Sequence, residues 1–588
     1  MAQTKLTQPE AESKIMQIFS NRVKILTFCL AVLPAFLLGI LIINFSVNVP
    51  VYDQWGTPDI LIKFSQGNLQ FKDLIAQQNE SRLLFPKLTF LALAYLTNWN
   101  VKYEMLVTFT LACLVSYNIY YLSKATLASS QIKLLILAFI SNLLIFSSMQ
   151  WENWLWGIQL VVFIPIACIT TCLAAIYSHL SNPTKLVICA CLCTISTFSY
   201  ANGILTWIIV FPVLVCYKVS SWRDLNKKKW LIFAGIAGLT ANAILYFYDY
   251  QKPGYHPSFS EAIVHPIKAI SYFLAFLGSP LGFGDLIASQ IVGAIIIVVS
   301  LFVVFHSFKL RQNSNLINSL LPWLMIGAYT IISALITTAG RVGFGVEQSL
   351  SSRYTTFSIY LIVGLIYLLA IILDYFHSRD GINSSKLVTY RRITVFLATA
   401  LVILHFLSFA HGIRVMTKAH RDRLQGKACL IFMNVAKDED CLTKRIFPSM
   451  EFLEAKVNPL NSLGFIKPSL VASKIIEDST NDNEIKSNPD RGNFEEIRKN
   501  DDGQYTAYGT ATQQTSKKPA DAVILAYTDS GGNSVAFAIS KVKPNYSWKK
   551  SLSPEMIPLN STTITAWAFD TTTGKLSKLD GTHPVQKP

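Results

Sequence analysis

The chain has 588 residues, 52% of them hydrophobic and only 15% charged, and its mean hydropathy is +0.39. Soluble domains carry about 25% charged residues, so most of this sequence does not face water, and a soluble enzyme is excluded. The net charge of +16 has no nucleic-acid motif beside it; basic loops on the cytoplasmic side of a membrane account for it better.

The first apolar block, Ile25 to Phe45, follows a basic tail containing Lys14, Arg22 and Lys24. It is long for a signal-peptide core and lacks a small-residue cleavage site, so it reads as an uncleaved first span. Blocks of helix-spanning length follow at 103–122, 132–149, 158–178, 185–201, 203–218, 230–249, 286–307, 317–338, 355–374 and 391–411. A hydrocarbon core of about 30 Å needs roughly 17–25 such residues. The expected fold is therefore an all-α polytopic bundle of about eleven spans. Leu83 to Leu96 is apolar too, but it holds Pro86 and Lys87 and reads as a half-buried helix.

The loops alternate in character. One set carries Lys124 and Lys133, Lys185, a run from Lys218 to Lys229, Lys309 and Arg311, and the basic residues from Arg379 to Arg392. The positive-inside rule makes this set cytoplasmic, with the N-terminus inside and the C-terminal segment outside. The expected location is a bacterial-type plasma membrane.

Polar and aromatic residues gather in the other set. The first outer loop carries Tyr52-Asp53-Gln54-Trp55 and Asn79-Glu80-Ser81-Arg82. The later ones carry Trp151-Glu152-Asn153-Trp154, then Tyr200-Ala201-Asn202-Gly203, then Tyr248 to Asp285 with His256 and His265. The last carries Gly340-Arg341-Val342-Gly343 and Ser352-Arg353-Tyr354. A catalytic site needs polar groups converging on one cavity, and only this face supplies them. Trp151, Trp154 and Trp156 equally suit plain interfacial anchoring. Asp53 stands a few residues past a span, where a carboxylate is costly without a partner or a task.

An early Asp in a long outer loop, many spans and a soluble C-terminal domain together resemble the GT-C superfamily of polytopic glycosyltransferases. Similar Trp-Glu-Asn-Trp and Ser-Arg-Tyr stretches occur in polytopic bacterial proteins of like layout. The resemblance covers residues 1–411 and implies transfer of a sugar from a polyprenyl-phosphate donor to a glycan, lipid or protein acceptor at the outer face, with inversion. Asp53 would be the general base and Glu80 the second catalytic carboxylate. Arg82, Trp55, Glu152, Asn153, Asn202, Arg341, Arg353 and Tyr354 would bind substrate, the arginines at 341 and 353 gripping phosphate in bidentate fashion. The glycines around Arg341 would let the backbone approach a bulky head group. The Asp-x-Asp metal pair of some members is absent, since Gln54 and Trp55 follow Asp53; this puts a divalent metal in doubt, and no cofactor is expected beyond the lipid-linked donor. The alternative class is a lipid or polysaccharide transporter of the flippase type. It would place ionisable groups mid-membrane, and the spans carry almost none.

The C-terminal part divides by composition. Residues 412–474 keep apolar positions and are expected to lie against the membrane domain, 475–503 reads as a flexible linker, and 504–588 as a small β-sandwich. Strands are expected at Tyr505–Thr512, Ala522–Tyr527, Ser534–Val542 and Thr562–Phe569, with Trp548 and Trp567 in the core. Cys429 and Cys441, twelve positions apart in an oxidising compartment, are expected to form a disulfide.

Overall fold

A computed structural model describes residues 8–219, 221–380, 385–476, 492–513, 517–557 and 563–584. Among these residues, nine helices are long and apolar enough to cross a membrane. Seven of them lie between Asn21–Phe45 and Val388–Ile431: Lys102–Thr126, Gln131–Leu155, Gly157–Ile176, Lys229–Phe247, Leu286–Lys309, Ser314–Phe344 and Ser352–Ser378. The chain divides into two compact units. One holds Met1–Asn44, Gln70–Thr89 and Glu104–Met416; the other holds Phe45–Leu69, Phe90–Tyr103 and Thr417–Pro588.

Two expected spans differ. Residues 185–201 and 203–218 fall in helices at Asn182–Thr197, of 16 residues, and Leu205–Cys216, of 12. Sixteen residues rise only about 24 Å, short of a full crossing. The segment Tyr248 to Asp285 also differs from a plain loop, because it contains the helix Pro266–Gly278. This helix lies close along Leu286–Lys309: a Cβ on Gly278 would fall 1.9 Å from the Ser289 carbonyl, and one on Gly293 1.9 Å from the Leu274 carbonyl. Small residues let two backbones meet in this way where lipid offers no hydrophobic drive. The last span also runs on. The helix Ser385–Ile431 has 47 residues and rises about 70 Å, well past His411, where the apolar pattern stops.

In the first unit a two-residue hairpin joins β1 (Gln77–Gln78) to β2 (Ser81–Arg82). Asn79 takes the left-handed backbone at φ 52°, a conformation Asn tolerates better than most residues. Glu80 is thereby placed at the tip.

In the second unit Cys429 and Cys441 are joined by a disulfide. The further strands are β3 (Ile475–Ile476), β4 (Phe494–Lys499), β5 (Tyr505–Thr510), β6 (Ala522–Thr528), β7 (Ser534–Lys541), β8 (Ser547–Leu552), β9 (Thr563–Phe569) and β10 (Leu576–Pro584). They form antiparallel sheets in the orders β10-β9-β6-β7-β3 and β4-β5-β8. Phe494, Tyr505 and Trp548 from the smaller sheet share one core with Leu525, Ile564 and Ala566 from the larger. Trp567 is buried as well. Most of the expected linker, 477–491, lies outside the described residues; its two flanks are β3 and β4, so the sheets begin before residue 504.

Candidate active site

The best-formed cluster of polar groups belongs to the first unit and is centred on Arg341, the last residue of the helix Ser314–Arg341. Unpaired carbonyls at a helix C-terminus favour a cation there. The Arg341 guanidinium donates to Glu80 Oε1 at 2.5 Å and to His256 Nε2 at 2.9 Å. Glu80 Oε2 lies 3.8 Å from His256 Nε2 and, though buried, has no hydrogen-bond partner among the described residues. Because His256 Nε2 accepts from Arg341, the ring is neutral with its proton on Nδ1. Burial first, then the neighbouring Arg341, hold its pKa below the ordinary value, against the pull of Glu80.

The hairpin tip is fixed by a second arginine. Arg82 donates to the carbonyls of Tyr246 at 2.6 Å, Ile75 at 3.0 Å and Tyr248. Tyr246 returns a bond from its hydroxyl to the Glu80 carbonyl at 2.6 Å. The loop after the Lys229–Phe247 helix docks onto the hairpin through Gln77 Nε2 to the Gln251 carbonyl at 2.6 Å and Tyr255 Oη to Asn79 Oδ1 at 2.6 Å. Arg82 and Glu80 do not pair with each other. Arg82, expected to bind substrate, anchors backbone instead.

Arg341, Glu80 and His256 border a cavity of about 390 Å³, walled by Tyr200, Asn202, Leu205, Tyr250, Ile336 and Tyr354 among others. A largely apolar cavity with a few converging polar groups is the usual form of a small-molecule site. Tyr200 is stacked on Phe357 and Tyr354 on Phe276. The phenol of Tyr200 is pushed up in pKa by burial and then by the nearby Glu80 carboxylate, so it remains a neutral hydrogen-bonding group. Gly343 has a different use from the expected one: a Cβ there would fall 2.6 Å from Pro257 Cβ. It admits the chain's own Pro257, and Pro257 is next to His256.

The Trp-Glu-Asn-Trp and Ser-Arg-Tyr stretches meet each other. Glu152 Oε2 accepts the Arg353 backbone N–H at 3.1 Å, and Asn153 Nδ2 donates to Thr356 Oγ1 at 2.6 Å. Ser352 Oγ donates to the Met149 carbonyl at 2.8 Å. Glu152 thus satisfies one N–H group at the start of the Ser352–Asp380 helix, where a carboxylate also suits the helix dipole. Glu152 and Asn153 position Arg353 and Tyr354. Trp154 is fully buried and donates to the Ser147 carbonyl at 2.8 Å.

Asp53 and Trp55 belong to the second unit. Asp53 is exposed, on the 3-10 turn Tyr52–Gly56. Thr57 occupies the N-cap position of the Pro58–Ser65 helix. Tyr52 holds this turn to the C-terminal segment, its N–H donating to the Ile446 carbonyl at 2.7 Å and its hydroxyl to the Lys444 carbonyl at 2.6 Å. Trp55, expected to bind substrate, is wholly buried; it donates to the Pro50 carbonyl and meets Trp99 edge-on at 6.2 Å. It is a core residue.

Among the described residues, no three His, Cys, Asp or Glu side chains gather as metal ligands. No family model matches the chain, and no curated protein does. The chain is similar to ArnT from Cupriavidus metallidurans. The crystal structure of that protein bound to undecaprenyl phosphate shares 10% identity and a TM-score of 0.39 with it, over 68% of this chain and 80% of the other. The apo structure shares 12% identity and the same score, over 67% and 78%. A likeness this loose carries no argument about chemistry, which rests on the chain's own residues.

His256 and Tyr200 are the site residues that sequence reasoning left aside. Their signal was present, since both stand in loops that also hold a turn-forming residue, Gly203 after Tyr200 and Pro257 after His256. What was missing was which loop each one meets.

Proposed function

We propose that this chain is a GT-C-type glycosyltransferase that moves a sugar from a polyprenyl-phosphate donor to an acceptor at the outer membrane face. The observation that carries the reading is the pairing of a largely apolar cavity with a pre-positioned guanidinium. A lipid phosphate needs both: an apolar wall for its chain and a fixed cation for its head.

In this reading the acceptor hydroxyl gives its proton to Asp53 and its oxygen attacks the anomeric carbon. The carbon–oxygen bond to phosphate breaks, its electron pair leaves with the lipid phosphate, and the anomeric centre inverts. Arg341 and Arg353 meet the charge that develops on the phosphate oxygens. Glu80 has two roles open to it. It holds Arg341 in place before the donor arrives, and it is the second candidate base.

The test is incubation of purified protein with a panel of polyprenyl-phosphate sugars, scoring free lipid phosphate and glycosylated acceptor. Release with at least one donor is expected. Movement of intact donor across a vesicle membrane with no cleavage of any donor would replace this reading with transport.

A further inference from the structure

We propose that the second unit carries a binding site for a small anionic carbohydrate, in the cavity between the helix Glu439–Arg445 and strands β7 and β8. The site is independent of the transfer reading. The cavity measures about 310 Å³, within the range that small-molecule sites occupy. Its charge is lopsided: Lys444, Arg445, Lys541, Lys549 and Lys550 line it, against Asp438 and Asp440. Each of those carboxylates already has a cation, Lys550 at 2.6 Å from Asp438 and Lys444 at 2.6 Å from Asp440. Among the described residues no salt bridge engages Lys541 or Lys549. The buried Nε of Arg445 has no hydrogen-bond partner there, its nearest carboxylate oxygen being that of Asp422 at 3.8 Å. A buried guanidinium N–H without an acceptor is costly, and a ligand oxygen would supply one.

The walls are fixed in advance. The Cys429–Cys441 disulfide forms one side. Asp438 caps the Glu439–Arg445 helix, accepting the Cys441 N–H at 2.9 Å while it holds Lys550 of β8. Gln425 donates to the Val542 carbonyl at 3.2 Å, tying the long helix to the end of β7. The remaining lining consists of Gln425, Ser540 and a single aliphatic residue, Ile539. One aliphatic side chain among so many charged ones makes no continuous apolar wall for a lipid chain or an aromatic ring. A hydroxyl, an amide and several cations suit a compact polar molecule bearing an oxyanion.

The experiment is isothermal titration of the purified full chain with a hexose phosphate, a hexuronate, inorganic phosphate and, as control, a neutral hexose. Saturable binding of at least one anionic sugar is expected, with an affinity that falls as salt rises, while the neutral hexose shows none. The phosphate and uronate arms then identify which oxyanion the site prefers. The double variant Lys541→Glu with Lys549→Glu should weaken binding tenfold or more with an unchanged thermal melt. If that variant fails to fold, Lys549→Gln alone gives the reading. Arg341→Gln, in the other unit, should leave binding as it is. The proposal is overturned if no anionic sugar binds, if the lysine variants bind like wild type, or if Arg341→Gln abolishes the signal.

Discussion

Arg341, half-buried, and Arg82, buried, have opposite uses, and their partners tell them apart. Arg82 satisfies three backbone carbonyls, a permanent set that no ligand displaces without loosening the hairpin. Arg82→Ala should therefore act on stability, costing about 3–5 kcal/mol, as losses of buried charged hydrogen-bond networks do. A thermal melt reads this directly. Arg341 holds a carboxylate and an imidazole, partners that a phosphate can replace. Arg341→Lys keeps the charge but loses the fork, so donor retention should fall more than the melting temperature. Asp53→Asn should lower transfer by about 10²–10⁴-fold, the usual loss for a general base, with radiolabelled donor still retained. Turnover at the wild-type rate would move the base to Glu80.

His256 adds a pH dependence whose sign follows from its surroundings. The groups that face it are Arg341, Glu80 and Lys252, and burial with the two cations outweighs Glu80, so its pKa is lowered. The unfolded chain, with an ordinary value of about 6.5, then takes up a proton before the folded one does. Stability should be fully present above that value and decline as pH falls below it. His256→Gln should flatten the decline in a series of melts between pH 7.5 and 5.5. A wild-type melt that does not move over this interval would refute the neutral imidazole.

At the scale of elements, the start of the Ser352–Asp380 helix depends on a carboxylate from elsewhere in the chain. Glu152→Ala leaves the Arg353 N–H without its acceptor, at a cost of about 1 kcal/mol, as for lost helix caps. Because Arg353 and Tyr354 sit on that first turn, KM for donor should rise along with the small loss of stability. Elements such as these also show what the sequence could and could not disclose. The long spans were legible because twenty apolar residues have few other uses. The 16-residue and 12-residue helices were read as crossings because apolar length alone does not reveal where a turn begins. The Ser385–Ile431 helix was cut short because polar residues end a membrane span without ending a helix. Strands β4, β8 and β10 were missed for a related reason. Their sequences, such as Phe-Glu-Glu-Ile-Arg-Lys and Ser-Trp-Lys-Lys-Ser-Leu, put charge on the exposed face and little more than one aromatic or aliphatic residue in two on the other. The site residues were named in part, but their pairing was not. Glu80 with Arg341 spans 261 positions, a distance over which no local pattern carries information.

For the whole molecule the open quantity is orientation, and parity constrains it. Asn182–Thr197 and Leu205–Cys216 follow one another directly, so they enter or leave the count of crossings as a pair. Among the described residues nine apolar helices are of full length; with these nine, or with two more, an odd count of crossings would put the two ends of the chain on opposite sides. The basic run around Lys227 to Lys229 and the pair Lys309 and Arg311 favour the cytoplasm for their loops. The Cys429–Cys441 disulfide favours an oxidising compartment for the C-terminal segment. These two indications come from unrelated physics, charge retention during insertion and thiol redox chemistry, and they agree. Single cysteines can test them once the exposed free thiols Cys29, Cys191 and Cys216 have been changed to serine. A tag at Ser221, beside the basic run, should react with a membrane-impermeant maleimide only after the membrane is opened. A tag at Ser530, in the turn between β6 and β7, should react in intact cells. The reverse pattern would place Arg341, Glu80 and His256 on the cytoplasmic face, and the outer-face transfer proposed for them would fall with it.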